Sequence, residues 1–192
     1  MKSIYLIIIL VVAVVGGILA IGLIGDRLVG EAIQKVVIAE PLDAVTTSTT
    51  LPNSAVGSRA GAFTVATNYT TTTRLVDLLD QPLIVVFWAT WQERAVDQLR
   101  AYDDYLAAHK NNAFNILFLN YQEDTAVVKS FLRRSGYDLP IGFDESGAVG
   151  DRWQVHLVPT TFIIGTDGLI KDRLVGNYQV QTVVDKLLNI NH

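Results

Sequence analysis

The sequence predicts an α/β domain, a mixed central sheet flanked by helices, preceded by one N-terminal transmembrane helix. Two continuous apolar runs, at 81–89 and 114–120, have the composition of strands buried on both faces. Segments with helical apolar periodicity follow each run. An uncharged apolar block at residues 4–25 has the length of a membrane span.

The apolar block at residues 4–25 would extend over roughly 30 Å as a helix, which matches a hydrocarbon core. It is longer than the ~7–15 apolar residues of a secretory signal, so residues 1–25 are assigned as an uncleaved anchor. Ala20 and Gly22 resemble a small-residue cleavage pattern, which keeps a cleaved signal as an alternative. A buried helix of a soluble core is the third interpretation.

The charges that flank the anchor do not decide its orientation. Lys2 lies on one side, and Arg27 and Lys35 lie on the other. A very short N-terminal tail usually stays inside the cell. We therefore expect a single-pass membrane protein whose C-terminal domain lies outside the cytoplasm, on the periplasmic or extracellular face.

Two segments separate the anchor from the domain. Residues 26–40 place Leu28, Val29, Ala32, Ile33, Val36 and Val37 on one helical stripe. This juxtamembrane helix either continues the membrane helix, which its few charges favour, or lies at an interface. Residues 41–58 are rich in Thr and Ser and predict a flexible linker with an end-to-end distance of roughly 20–25 Å. The domain is assigned to residues 59–192.

The first half of the domain predicts a hairpin, a strand and a helix. Residues 62–81 fit a short β-hairpin followed by a turn of helix, and 81–89 fit a buried strand. A helix is predicted from about Gln92 to His109, ending before Asn111–Asn112. Its predicted inner face consists of Val96, Leu99, Tyr102 and Leu106.

The second half alternates strands and helices. Residues 114–120 predict a buried strand, and 125–136 predict a helix with Gly136 at its C-terminal stop. A short strand, a turn and a short helix follow in 137–153. Residues 160–176 predict an antiparallel hairpin, and 178–190 a closing amphipathic helix. This order is typical of a mixed sheet between helices.

The charge and composition exclude several classes of protein. The net charge is −4 with a pI near 5.3, and no Lys/Arg run is present, so a nucleic-acid partner is not expected. The sequence contains no cysteine, so no disulfide can form and no thiolate is available.

Three segments at matching separations resemble the thioredoxin-like superfamily: VVFWATW and its continuation (85–95), VPTTFII (158–164) and DGLIKDRLVG (167–176). The hairpin before the first buried strand and the insert at 137–153 narrow the resemblance to the membrane-anchored TlpA/ResA type of redoxin, which is AhpC/TSA-like. The resemblance covers about residues 60–190. It implies a thioredoxin-like fold, and many members of this type serve cytochrome c maturation.

The resemblance also implies which site residues are kept and which are lost. It implies a cis proline at Pro159 and a backbone at Val158 that faces an extended substrate peptide. The family pattern W-C-x-P-C-x-x-E would place its two cysteines and its tuning glutamate at Gln92, Ala95 and Gln98. All three are replaced here. The combined loss argues against thiol–disulfide and peroxidase activity.

Acidic residues near the predicted helix start have a structural interpretation. Thr90 and Glu93 have the spacing of a capping box, so Glu93→Ala would lower stability by about 0.5–2 kcal/mol. A general base or ligand role for Glu93 is the alternative. The pairs Glu123–Asp124 and Asp144–Glu145 are interpreted as solvated helix or turn positions.

No metal site or cofactor is predicted. The three histidines, His109, His156 and His192, are scattered in the sequence, and one histidine with Glu93 is a poor site for a soft metal. No phosphate-binding loop or dinucleotide fingerprint is present.

The favoured hypothesis is a non-enzymatic module that binds an extended polypeptide or a redox-protein partner near the membrane. Its predicted binding groove consists of Trp91, Gln92, Glu93, His156, Val158 and Pro159. Thiol–disulfide oxidoreductase activity of the cytochrome c maturation type, implied by the resemblance, is the alternative. A structural subunit of a membrane complex, with the anchor as its interface, is the third.

Overall fold

The computed structural model describes residues 54–69 and 72–189. The strands in this part of the chain are β1 (Thr64–Thr67), β2 (Thr73–Arg74), β3 (Leu83–Trp88), β4 (Asn115–Tyr121), β5 (Ile141–Asp144), β6 (Thr160–Ile164) and β7 (Ile170–Val175). The α-helices are α1 (Glu93–Ala108), α2 (Thr125–Ser135), α3 (Ala148–Arg152) and α4 (Val180–Asn189). A short 3₁₀ helix, Leu75–Leu78, precedes β3.

The strands form one mixed sheet in the order β2-β1-β5-β4-β3-β6-β7. The central strand β3 pairs in parallel with β4 and antiparallel with β6. β4 and β5 are parallel, whereas the β6–β7 and β1–β2 hairpins are antiparallel. The predicted α/β class, mixed sheet and N-terminal hairpin are therefore confirmed. The parallel pairs are connected through helices, as parallel strands require.

Each face of the sheet carries its own hydrophobic cluster. Val86 and Trp88 of β3 point to the face covered by α1 and α4, where they join Leu99 and Val183. The alternate residues of β3 point to the opposite face and pack around Trp153. Every residue of β3 is buried, which confirms the prediction of a strand covered on both faces.

The helix that follows β3 buries Leu99 and Tyr102 as predicted, but the other two inner positions differ. Its buried residues are Ala95, Gln98, Leu99 and Tyr102. Val96 and Leu106, which the sequence assigned to the inner face, are only partly buried. The buried face is therefore shifted by less than one residue, because it includes an alanine and a glutamine that an apolar pattern does not select.

The predicted C-terminal stop of α2 is confirmed. Gly136 ends α2 with a left-handed φ of 71°, a conformation that glycine adopts without steric cost. Asp124 caps the start of the same helix by accepting a hydrogen bond from the Ala126 N–H at 2.7 Å. Asp144 is not solvated as expected. It is 4% exposed and accepts hydrogen bonds from Val149 N and Gly150 N, at the start of α3.

The beginning of the described chain is bound to the sheet. Gly57 N donates to Ile170 O at 2.7 Å, and Ile170 N donates to Ser58 O at 2.9 Å. Ser54 and Ser58 are buried. The domain therefore extends at least to residue 54, into the segment that the sequence assigned to the linker.

Within residues 54–69 and 72–189, no helix has the length and apolarity needed to cross a membrane. The predicted anchor at 1–25, the juxtamembrane helix at 26–40 and most of the predicted linker lie outside the described residues.

Candidate functional site

A groove of about 340 Å³ lies where the β3–α1 loop meets the loop before β6. Its walls come from three loops, and its lining residues are Trp91, Gln92, Tyr121, Gln122, Val155, His156, Leu157 and Val158. No Asp, Glu, Lys or Arg is among them. Of the predicted groove residues, Trp91, Gln92, His156 and Val158 line the groove, whereas Glu93 and Pro159 do not.

Two large apolar side chains of the groove are open to solvent. Trp91 is 66% exposed and Leu157 is 65% exposed, the two highest values among the large apolar residues of the described chain. Trp88, only three positions before Trp91, is fully buried. Trp91 and Leu157 therefore place exposed apolar surface in the same groove.

The loop before β6 has a cis Val158–Pro159 peptide bond, which confirms the expectation drawn from the family resemblance. Pro159 O accepts a hydrogen bond from Gly176 N at 2.8 Å, and Leu157 O accepts one from the Thr160 hydroxyl at 2.6 Å. The N–H groups of residues 156–158 donate to no residue of the described chain. These main-chain donors of the groove wall therefore have no partner within the described residues.

The predicted capping box at the start of α1 is wrong. The N-cap residue is Gln92, with extended backbone angles and no side-chain capping bond. Glu93 is exposed and makes no bond to Thr90. The local spacing suggested Glu93 as the partner of Thr90. Instead, the Thr90 N–H and hydroxyl both donate to a carboxylate that is distant in the sequence.

That carboxylate belongs to Glu123, which follows β4. It accepts hydrogen bonds from Thr90 N at 2.7 Å, from the Thr90 hydroxyl, and from Asn120 Nδ2 at 2.6 Å. Glu123 is half-buried, so it is not the solvated position that the sequence indicated. It ties the loop after β3 to the end of β4 and so holds the loop that carries Trp91.

Tyr121 and Gln122 form the third wall, which sequence reasoning missed. The Tyr121 hydroxyl donates to Asp151 Oδ1 at 2.9 Å. Burial and this hydrogen bond raise the pKa of Tyr121 to about 12. Gln122 has a left-handed φ of 56°, which is uncommon outside glycine and recurs at functional loops. Sequence could have indicated these two residues as groove residues, because they follow the predicted buried strand 114–120, which neighbours β3.

The three positions that match the family's active-site pattern have different environments. Gln92 lines the groove, whereas Ala95 and Gln98 are each 1% exposed and lie on the buried face of α1. The Gln98 amide forms no hydrogen bond with any described residue. No side chain at these positions can act as a nucleophile or exchange a proton.

His156 is exposed in the groove wall. His109, the other histidine of the described residues, does not line the groove. His109 lies at the C-terminal end of α1, where its ring stacks on Tyr105 with centroids 4.1 Å apart. Among the described residues, no cluster of three or more His, Cys, Asp or Glu side chains is placed to hold a metal ion.

Comparison with known proteins places this geometry among thiol redoxins. The AhpC/TSA family model matches residues 56–173. The thiol-disulfide oxidoreductase ResA of Geobacillus kaustophilus is 27% identical over 136 residues, covering 71% of this chain and 78% of the relative. ResA of Bacillus thuringiensis is 24% identical over 121 residues, covering 63% of this chain and 70% of the relative.

Solved structures share the fold at low identity. StoA from Bacillus subtilis has a TM-score of 0.59 at 19% identity, covering 66% of this chain and 96% of that one. The exposed lipoprotein thioredoxin of Streptococcus pneumoniae has a TM-score of 0.61 at 21% identity, covering 67% and 99%. A thiol:disulfide interchange protein from Chlorobium tepidum has a TM-score of 0.60 at 17% identity, covering 70% and 97%. These likenesses show a thioredoxin-like fold.

Proposed function

The chain belongs to the AhpC/TSA family, and from this premise we propose that it is a membrane-tethered, extracytoplasmic binding domain without thiol chemistry. Its ligand is an extended polypeptide or a redox-protein partner. A dithiol enzyme needs two thiolates, and the sequence contains no cysteine. Binding is the function that remains when the groove is kept and the nucleophile is missing.

One observation carries the proposal: exposed apolar side chains and unpaired main-chain donors occur in the same groove. Trp91 and Leu157 offer apolar contact to alternate side chains of a strand-like ligand. The N–H groups of residues 156–158 bond to no described residue, and those that face the groove would pair with its carbonyls. An extended polypeptide satisfies both sets of contacts at once. Because no charged Asp, Glu, Lys or Arg lines the groove, an uncharged segment fits it best.

The membrane tether is supported by the sequence of residues 4–25, which carry no charge and have the length of a span. An alkaline phosphatase fused after His192 folds to an active enzyme only outside the cytoplasm. Activity of this fusion is the expected result. An inactive fusion that is present at full length would place the domain inside the cell.

Titration calorimetry of the full chain with reduced, carboxymethylated α-lactalbumin tests the binding proposal. This probe is an unfolded polypeptide whose thiols are blocked, so disulfide exchange cannot contribute. We expect saturable binding that Trp91→Ala and Leu157→Ala each weaken about tenfold, as central apolar contacts do.

Leu188→Ala is the matched control, because Leu188 is a leucine on α4 that is 45% exposed and lies outside the groove. Its affinity should equal that of the unaltered chain. If Leu157→Ala and Leu188→Ala bind alike, the polypeptide site lies elsewhere. If the unaltered chain does not bind the probe, the proposed function fails.

Thiol–disulfide oxidoreductase activity is the second candidate, because the ResA relatives carry that name. Insulin reduction separates the two functions. The purified chain should reduce insulin no faster than buffer does, since Gln92 and Ala95 occupy the two cysteine positions. Turnover without any added thiol protein would establish the enzyme instead.

A further inference from the structure

The segment of residues 54–62, called the strap below, binds the three residues that lead into the groove wall. Ser54 Oγ donates to Gln154 Oε1 at 3.0 Å. Trp153 Nε1 donates to Gly61 O at 2.8 Å, and the Arg152 guanidinium donates to Ala62 O. Arg152, Trp153 and Gln154 directly precede Val155 and His156, which line the groove. The strap is therefore bonded to the base of the loop that forms this wall.

The other side of the strap is bound to the β6–β7 hairpin. Gly57 N donates to Ile170 O, and Ala60 N donates to Gly168 O at 2.9 Å. A Cβ at Gly61 would lie 3.0 Å from Trp153 Nε1, so this part of the strap packs closely on the indole. The strap thus connects the β6–β7 hairpin to the groove loop.

Gln154 is the point where this connection meets backbone strain. Its φ is 52°, in the left-handed region that disfavours residues with a Cβ. Bonds hold it on three sides: from Ser54 Oγ to its side chain, from Arg173 Nη2 to its carbonyl at 2.6 Å, and from its N–H to Asp151 O. Strained conformations persist where surrounding contacts over-determine them. Removing one contact should favour a relaxed backbone at this residue.

We propose that the strap is a latch on the groove: the Ser54–Gln154 hydrogen bond keeps residues 155–158 in the groove geometry, and its loss loosens them. The latch itself is a property of the described contacts. Its effect on affinity rests on the proposed function.

Hydrogen–deuterium exchange of the full chain tests the latch without any ligand. The reporter is the peptide that contains Val155, whose N–H donates to Gly150 O at 2.8 Å within the groove loop. Ser54→Ala should raise its exchange rate about fivefold, which corresponds to the loss of one average hydrogen bond. Ser135→Ala is the matched control, because its hydroxyl bonds Leu132 O at the end of α2, and it should leave this rate unchanged.

A double-mutant cycle identifies the contact that matters. Gln154→Leu removes the acceptor from the other side and should raise the exchange rate to a similar degree. The combined Ser54→Ala and Gln154→Leu variant should exchange no faster than either single variant. Additive effects, or a Ser54→Ala rate equal to that of Ser135→Ala, would overturn the latch.

The affinity for carboxymethylated α-lactalbumin separates the latch from the proposed function. If the latch regulates the groove, Ser54→Ala binds the probe several-fold more weakly than Ser135→Ala. If exchange rises in Ser54→Ala and its affinity for the probe is unchanged, the regulatory part of the proposal is refuted. If exchange rises and the unaltered chain does not bind the probe, the latch stands and the proposed polypeptide function fails.

Discussion

Replacing Glu123 by alanine should destabilise the protein far more than replacing Glu93. Glu123 accepts two hydrogen bonds from Thr90 and one from Asn120, whereas exposed Glu93 makes none of these. Asn120 is fully buried, so Glu123→Ala leaves its amide without the bond to Glu123. The capping box inferred from sequence predicts the reverse order, which makes the pair of variants decisive.

The expected magnitudes follow from these contacts. Hydrogen bonds to a carboxylate contribute about 1.5–3 kcal/mol when buried and less when water has access. Three bonds to half-buried Glu123 therefore amount to about 2–4 kcal/mol for Glu123→Ala. Glu93→Ala should change the free energy of unfolding by less than about 0.5 kcal/mol, as surface substitutions do. Glu123→Gln keeps an oxygen for Thr90 N and should lose only about 1 kcal/mol.

Urea unfolding followed by near-ultraviolet circular dichroism measures these differences. The midpoint should fall clearly for Glu123→Ala at an unchanged slope, since the same surface is exposed on unfolding. Thr90→Val gives an independent check, because it removes the hydroxyl donor and keeps the backbone donor to Glu123. A Glu93→Ala midpoint below that of Glu123→Ala would refute the reasoning and restore the capping box.

Three further predictions concern the groove and its surroundings. In Gly150→Ala the new methyl group would overlap the ring of Tyr121, so unfolding studies should show a loss of about 1–3 kcal/mol. The raised pKa of Tyr121 means that its contribution to stability is present below pH about 10 and is lost as the pH rises toward about 12. Absorbance titration should show one phenol with a midpoint near 12 that Tyr121→Phe removes, and persistence of that midpoint in the variant would assign it elsewhere. The double variant Gln92→Cys and Ala95→Cys should form an intramolecular disulfide on oxidation, because these residues are one helical turn apart at the start of α1. Its dithiol form, regenerated by dithiothreitol, should reduce insulin faster than either single variant does.

The elements that were predicted correctly are those whose signal is local. Strand β3 is recognisable because its apolar residues need cover on both faces, and the structure buries all of them. Gly136 marks the end of α2 because glycine adopts its left-handed φ without the steric cost that a Cβ brings. The cis bond at Pro159 was expected from the resemblance carried by V-P-T-T-F, and the backbone has it.

The site was only partly predictable for a physical reason. Trp91 and His156 are far apart in sequence, and the expectation that they meet came from the resemblance. Glu123, Tyr121 and Gln122 were missed because the neighbours that define them come from other strands and loops. Glu123 binds Thr90 from 33 positions away in the sequence, and no periodic pattern of residues indicates such a contact.

The sequence alone determined the fold class, the order of its elements and the absence of any thiolate, because composition and periodicity are properties of single segments. Tertiary structure decided which acid holds the loop after β3, which residues form the third wall of the groove and how the strap at residues 54–62 meets Gln154. These outcomes depend on distances between segments that are remote in the chain, and hydrogen bonds select among them only once the sheet has brought the segments together.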